Sequence, residues 1–402
     1  MSAVPLALAA VPAAGVVWEL ARRKPGRQGP PSRPAGKVSA RWTAGVQHSL
    51  PQAWTAAGLK ATPARRLPRV SRCVPVVHGA AWTVNAHGWD ITDIGKIIPQ
   101  VASSLAERAR VGVVELQATP GRPGRGTLTV LDREPLLSPR VWRWEPGTSP
   151  VTVPTQALHV GWDRRGEPAT IPLVDSNGSH RVLIGGQPGT GKSKTLLLLL
   201  WQAMACPDVR LWLIDRKFGL EFAPLRARAH AVAETRAETT VLLRALRAEV
   251  EEQAERMKTA KTAKLTEFGG PNVCHVLAID ELSLLRGEKE SVGLLEDIAK
   301  LGRAVAAPVL AASQVTSVDQ VKSEVRALFD TAIAHRVRDV SQASMILGHQ
   351  PVEMVPPGGP GLAILSDGQR PDRMIRVDFV GDDSGRLEEH ACLCAGVGTP
   401  AT

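Results

Sequence analysis

Lys192 and Ser193 close the run Gly186-Gln187-Pro188-Gly189-Thr190-Gly191-Lys192-Ser193, which fits the pattern G-x-x-x-x-G-K-[ST]. The chemistry such a run can do is phosphate binding. Gly186, Gly189 and Gly191 let the backbone curl so that several N–H groups converge on phosphate oxygens. The short apolar strand Val182–Ile184 leads in, and a helix beginning at Lys192 leads out and adds its positive N-terminal end. In that setting Lys192 would reach the β- and γ-phosphates of a nucleoside triphosphate, and the Ser193 hydroxyl would ligate Mg²⁺. ATP and Mg²⁺ are the expected cofactors. A chance glycine-rich turn would have no reason to sit between a strand and a helix.

A hydrolytic site needs more than phosphate ligands. The apolar stretch Val276–Ile279 ends in Asp280-Glu281. Asp280 suits a Mg²⁺-coordinating carboxylate, and Glu281 beside it suits the polarisation of an attacking water. Gln314 ends another apolar stretch and could sense the γ-phosphate. Phosphoryl transfer also calls for extra positive charge, often an arginine from a second subunit. Arg303 and Arg336 are the candidates, each equally readable as surface arginine.

These residues share a position: each follows a strand. From Val182 onward apolar strands alternate with helices, which predicts an α/β fold with a mostly parallel sheet covered on both faces. Strands are expected at 209–214, 273–279, 309–312, 331–337, 361–365 and 374–380, and helices at 238–257 and 292–302. In such a sheet the ligand lies at the carboxyl ends of the strands, where the polar residues collect.

Upstream, residues 74–150 read as a small α/β domain. It has strands near 81–84, 111–116 and 127–131 and a helix striped by Ile94, Ile97, Ile98, Val101 and Leu105. No catalytic constellation appears there. Residues 21–73 read as a basic linker rich in Pro and Gly. The net charge of the chain is +10. Between Leu20 and Trp89 there are twelve Lys or Arg and no Asp or Glu, so the remainder sums to −2. The basicity belongs to the arm and not to the phosphate-binding part, which excludes a uniformly cationic surface there.

Residues 1–20 contain the uncharged apolar stretch Ala3–Trp18, followed by Arg22-Arg23-Lys24. A helix of about 16 residues is ~24 Å long, short of the ~30 Å hydrocarbon core. The stretch reads as a membrane anchor held to the inner face of the cell membrane by the basic cluster, with an interfacial helix or a disordered start as alternatives. The phosphate-binding part would then be cytoplasmic. The five cysteines show no paired metal-ligand spacing and fit a reducing compartment. Residues 386–402, with Cys392 and Cys394, read as a flexible tail, which leaves 151–385 for the phosphate-binding domain.

With these motifs assembled, the segment from His159 to Val380 resembles the FtsK/SpoIIIE DNA-translocase motor, particularly the single-motor versions of actinobacterial plasmid-transfer proteins. The resemblance rests on His159-Val160-Gly161-Trp162-Asp163, the phosphate loop, Leu213-Ile214-Asp215-Arg216-Lys217, Glu255-Arg256-Met257, Ala278-Ile279-Asp280-Glu281-Leu282, Gly302-Arg303-Ala304, Ala311-Ala312-Ser313-Gln314 and Met345-Ile346-Leu347-Gly348. It implies a RecA-like P-loop motor that assembles as a homo-oligomeric ring, a hexamer, and drives double-stranded DNA through its pore by ATP hydrolysis. Conjugative plasmid transfer and chromosome movement are the implied settings. Lys258, Lys261, Lys264, Lys322 and Arg326 are candidate DNA contacts, each also readable as solvated charge. Two departures stand out. Val315 replaces the family's arginine after the glutamine, and the sequence ends about twenty residues after the last expected strand, leaving no room for a winged-helix module. The alternative is a protein-export ATPase of the type VII secretion kind, although those usually carry several motors in tandem.

Overall fold

The computed structural model describes residues 39–396 apart from 77, 120, 138–144, 315–325, 352, 357–358 and 382–383. The expected anchor at 1–20 lies outside these residues. Among the described residues no helix is long and apolar enough to cross a membrane.

Ser39 opens helix α1 (Ala40–Ala56) by accepting a hydrogen bond from Trp42 N. Val46, Leu50, Ala53 and Trp54 recur at helical spacing along it and are all buried. Strands β1 (Arg69–Val76), β2 (Gly79–Asn85), β3 (Val113–Thr119) and β4 (Arg122–Leu131) form an antiparallel sheet in the order β1-β2-β4-β3. Asp90 caps α2 (Ile91–Lys96), and α3 (Ile98–Ala109) follows directly. One core joins Trp54, Trp82, Ile94, Val101, Leu105 and Leu128.

This corrects the expected linker at 21–73. Helix α1 lies inside that span and supplies buried side chains to the core of the small domain, so the domain includes residue 39 onward and not only residues after 73. The expected boundary at 150/151 shifts too. Leu136 and Val151 are both buried in the core of the second unit, and Arg164 Nε donates to Glu134 Oε2 at 2.8 Å.

The second unit contains β5 (Ala157–Asp163), β6 (Pro168–Pro172), the small hairpin β7 (Val174–Asp175) and β8 (Gly178–Ser179), β9 (Arg181–Gly186), α4 (Lys192–Met204), β10 (Val209–Ile214), β11 (Ala229–Ala233), α5 (Arg236–Thr259), β12 (Cys274–Ile279), α6 (Lys289–Leu301), β13 (Val309–Gln314), β14 (Thr331–His335), α7 (Val340–Leu347), β15 (Leu362–Ser366), β16 (Arg373–Val377) and α8 (Ser384–Ala395). Ten strands pair in the order β11-β10-β12-β13-β9-β14-β15-β16-β5-β6. From β11 to β14 every pairing is parallel; from β14 to β6 every pairing is antiparallel.

The crossover β9–α4–β10 runs one way across the sheet, whereas β11–α5–β12 and β12–α6–β13 run the other. Right-handed connections therefore place α4 on one face and α5 with α6 on the opposite face. Every residue from Leu196 to Met204 in α4 is buried, as a helix apolar all round must be.

Its outer side is covered by α8, which corrects the expected tail at 386–402. Leu387, His390, Ala391 and Cys392 of α8 are buried. The His390 ring stacks on Trp201 at 4.1 Å between centroids. Its Nδ1 accepts from Gly147 N at 2.9 Å, and its Nε2 donates to Trp201 O at 2.8 Å. A neutral imidazole satisfies both, and burial lowers its pKa to about 4.

Candidate nucleotide site

β9 lies between β13 and β14, and all three run parallel, so their carboxyl ends open on one edge. The chain leaves β9 through Gly186 (φ 151°), Gly189 (φ 72°) and Gly191 (φ 114°). A Cβ on Gly186 would come within 2.7 Å of His335 Cβ, so no larger residue fits under the turn. Thr190 Oγ1 and Lys192 Nζ both donate to the Gln187 carbonyl, at 2.7 and 2.8 Å. Burial lowers the pKa of the Lys192 ammonium, with the Glu281 charge opposing it.

The carboxyl end of β12 delivers Asp280 and Glu281 beside this loop. Ser193 Oγ lies 3.3 Å from Asp280 Oδ1. A hydroxyl and a buried carboxylate at that spacing are hard oxygen donors of the kind Mg²⁺ takes together with nucleotide phosphates. Burial raises the Asp280 pKa, a penalty that a divalent cation would offset. Glu281 Oε1 accepts from Ser283 Oγ at 2.6 Å and from the Gln314 backbone N–H at 3.0 Å. One carboxylate oxygen is thereby fixed, and Oε2 is the oxygen left for chemistry. Gln314 ends β13 and pairs in register with Gly186, which sets it against the first residue of the loop. The fold thus gathers Gly186–Ser193, Asp280, Glu281 and Gln314 on one edge.

Arg303 is not part of this gathering. It is exposed, its carbonyl accepts from Ser179 N at 2.9 Å, and its Nε donates to Asn177 O at 3.4 Å. These contacts lie before β9 begins, at the amino ends of the strands. Arg336 is on the nucleotide edge instead. Its carbonyl accepts from Gln187 N at 3.0 Å, and it lines a small cleft with Gly189, Thr190, Val355, Pro356 and Leu362.

The candidate DNA contacts divide. Arg326 donates to the carbonyls of Ile346 and Leu347, both at 2.6 Å, and so terminates α7; that use corrects its reading as a DNA ligand. Lys264 Nζ donates to Ser176 O at 2.7 Å. Leu265 N bonds Ala304 O at 2.9 Å, so Lys264 belongs to the amino-end surface with Arg303. Lys258 and Lys261 are exposed at the end of α5. Lys322, like Val315, falls outside the described residues.

Two residues gain a role that pattern reading did not give them. His335 is buried beneath the loop, with Nε2 2.9 Å from Thr195 Oγ1 and Nδ1 3.1 Å from Leu362 O. Lys217, seen in the sequence only as part of a motif, reaches Asp280 Oδ2 at 2.7 Å. A cation two residues beyond Asp215, which follows the apolar strand, was the available signal. The motif at 159–163 proves architectural: His159 Nε2 and Trp162 Nε1 meet Asp378 Oδ2 at 2.9 and 3.0 Å, which fastens β5 to the segment after β16.

The sequence model of the FtsK/SpoIIIE family matches residues 136–353, more than half of the chain. The chain belongs to the FtsK/SpoIIIE family. The match begins at Leu136, where the second core begins, so the family's P-loop unit coincides with the second unit of the fold. Among curated FtsK proteins, the DNA translocase FtsK of Brucella melitensis is 25% identical over 283 residues, covering 59% of this chain and 34% of that protein. The Brucella suis protein gives the same identity and 32% of its length. The chain therefore spans about a third of the curated relatives it matches. Among solved structures, the pCW3 conjugation coupling protein TcpA, in a monomer form with ATPγS, aligns with a TM-score of 0.57 at 16% identity, over 86% of this chain and 98% of that one. ATPases 2 and 3 of EssC from Geobacillus thermodenitrificans align at 0.53 and 18%, over 66% and 54%. At those identities the likeness is one of fold.

Proposed function

We propose that the chain is an ATP-hydrolysing motor that moves double-stranded DNA, working as a head-to-tail ring of identical subunits, a hexamer, in conjugative plasmid transfer. The observation that carries this is the convergence of Lys192, Ser193, Asp280, Glu281 and Gln314 at one sheet edge of an FtsK/SpoIIIE-family motor, with Arg303 at the other.

Gly186–Ser193 would hold the phosphates of ATP, with the nucleoside beside Arg336, Val355 and Pro356. Ser193 and Asp280 would hold Mg²⁺, which supplies charge neutralisation to the phosphate oxygens when bound. Glu281 Oε2 would take the proton of the attacking water, while Ser283 and Gln314 keep Oε1 fixed. Arg303 would serve the site of the neighbouring subunit, because it lies at the far end of its own sheet. DNA would be held by a few residues of the ring, since the charge outside the arm sums to −2 against the chain's +10. Residues 3–18 would tether the ring to the inner face of the membrane.

The test is ATPase activity of the purified chain with and without long duplex DNA, together with electron microscopy in ATPγS. Stimulation by duplex and rings around DNA are expected. No stimulation, with turnover responding to a secreted peptide instead, would replace this reading with a protein-export ATPase.

A further inference from the structure

Lys217 lies outside the phosphate-binding run, yet its ammonium is held by both carboxylates that follow β12. It emerges from β10, which pairs in register with β12 from Val209–Cys274 to Ile214–Ile279. The fully buried Asp215 carboxylate accepts from the backbone N–H of Lys217 (3.1 Å), Glu221 (2.8 Å) and Phe222 (3.0 Å), which closes residues 215–222 into a defined loop. Phe218, inside that loop, has φ 64°. A bulky residue in the left-handed region is strained and persists only where its surroundings demand it. The loop places Lys217 Nζ 2.7 Å from Asp280 Oδ2 and 3.6 Å from Glu281 Oε2. Those carboxylates are 1% and 5% exposed.

We propose that Lys217 is a built-in competitor of the metal ion: its ammonium neutralises the Asp280–Glu281 pair, and Mg²⁺ entering with nucleotide must displace it. This rests on reading Asp280 as a metal ligand. The physical reason is exclusion. A Mg²⁺ ion held by Asp280 would compete for the same carboxylate oxygens with an ammonium within hydrogen-bond distance of them, and the two cations would repel each other. Displacement removes an ion pair that holds the loop to the site. Phe218 and Leu220, 89% and 73% exposed, ride on that loop. Arrival of the metal is thus coupled to an apolar surface beside the site. Lys217 is a positioning residue; it orders the carboxylates and sets when they become available.

The test uses the full chain and Mn²⁺ as the metal, followed by electron paramagnetic resonance without nucleotide. Lys217→Met should bind Mn²⁺ roughly tenfold more tightly than wild type, the scale on which one adjacent opposite charge shifts a carboxylate's affinity for a cation. Lys217→Arg should stay near wild type, and adding Asp280→Asn to Lys217→Met should abolish the gain. In wild type, amide exchange at Lys217, Glu221 and Phe222 should speed up when Mg²⁺ and ATPγS are added; this readout needs no variant. Unchanged Mn²⁺ affinity in Lys217→Met, or unchanged exchange in wild type that binds ATPγS, overturns the competitor role and leaves the ATPase reading intact. Wild type that binds no ATPγS overturns the ATPase reading itself.

Discussion

Arg303 and Lys192 lie at opposite ends of one sheet. Lys192 follows the carboxyl end of β9, whereas the Arg303 carbonyl accepts from Ser179 N just before β9 begins. β9 has six residues, and at ~3.3 Å per residue the two ends are ~20 Å apart. One chain cannot bring these side chains to the same phosphate. A closed ring joins two different faces at each contact, and that arrangement would bring one subunit's Arg303 to its neighbour's Lys192.

Mixing defective chains tests this. Arg303→Ala and Lys192→Ala should each lower ATPase turnover at least ~100-fold, the scale of losing one transition-state contact. Mixed in equal amounts and reassembled, they should recover up to about a quarter of wild-type activity, because random neighbours restore a complete site with that frequency. Failure of the mixture to exceed either parent would show that Arg303 does not complete a neighbour's site.

Replacing Glu281 by Gln keeps the shape of the side chain and its contacts with Ser283 and Gln314 but removes the base. Turnover should fall ~10²–10⁴-fold while ATPγS binding stays within a few-fold of wild type. Steady-state ATPase rates and a fluorescent-nucleotide titration separate the two effects. An unchanged rate would remove Glu281 from the chemistry.

The N-terminal boundary makes a third prediction. Deleting residues 1–38 should leave basal ATPase and the thermal midpoint close to wild type. Deleting 1–72 should unfold the small domain, because it strips Val46, Leu50, Ala53 and Trp54 from the core. Trp54→Ala alone should cost that domain ~3–5 kcal/mol. Calorimetry on the three chains would reveal the loss of a separate transition.

Acid should weaken the fold early. Burial lowers the pKa of His275, His335 and His390 to about 4. In the unfolded chain these groups titrate near ~6.5, so between about pH 6.5 and 4 the unfolded state binds more protons, and stability drops as pH falls through that window. His180 works in the opposite sense. Burial would lower its pKa, but Asp330 and Asp175 raise it, so its contribution is present below pH ~6.5 and lost as pH rises. Three buried histidines outweigh the raised carboxylates and predict a midpoint at pH 5 about 5 °C below that at pH 7.

The parallel half of the sheet was legible because β10, β12 and β13 are apolar runs, interrupted only by Arg210 and His275, that lead into polar residues, the pattern of strands buried on both faces. The phosphate loop was legible because glycine spacing dictates its backbone. Helix α1 was missed although Val46, Leu50 and Trp54 carry a helical stripe. Pro51 inside it and the acid-free, arginine-rich surroundings resembled linker composition. Helix α8 hid its role because a buried His390, satisfied by Gly147 and Trp201, looks like a surface residue in a short polar stretch. Strand order was not readable at all, so the antiparallel extension through β15, β16, β5 and β6 appeared only in three dimensions. The spacing of Lys217 from Asp215 marks a cation near the strand end, but its reach to Asp280 depends on one strained turn.

The outermost strand β6 begins at Pro168 and ends at Pro172, and the opposite outermost strand β11 is five residues long. A proline has no N–H to offer, and a short strand offers little length, so neither border is a good template for adding another strand. Copies of this motor would not zip together by sheet extension. Contacts made by the ten-stranded unit in a ring would then come from side chains on helices and loops. Such contacts can loosen and re-form during each catalytic cycle without breaking a main-chain ladder, which is the mechanical property a cyclic machine needs.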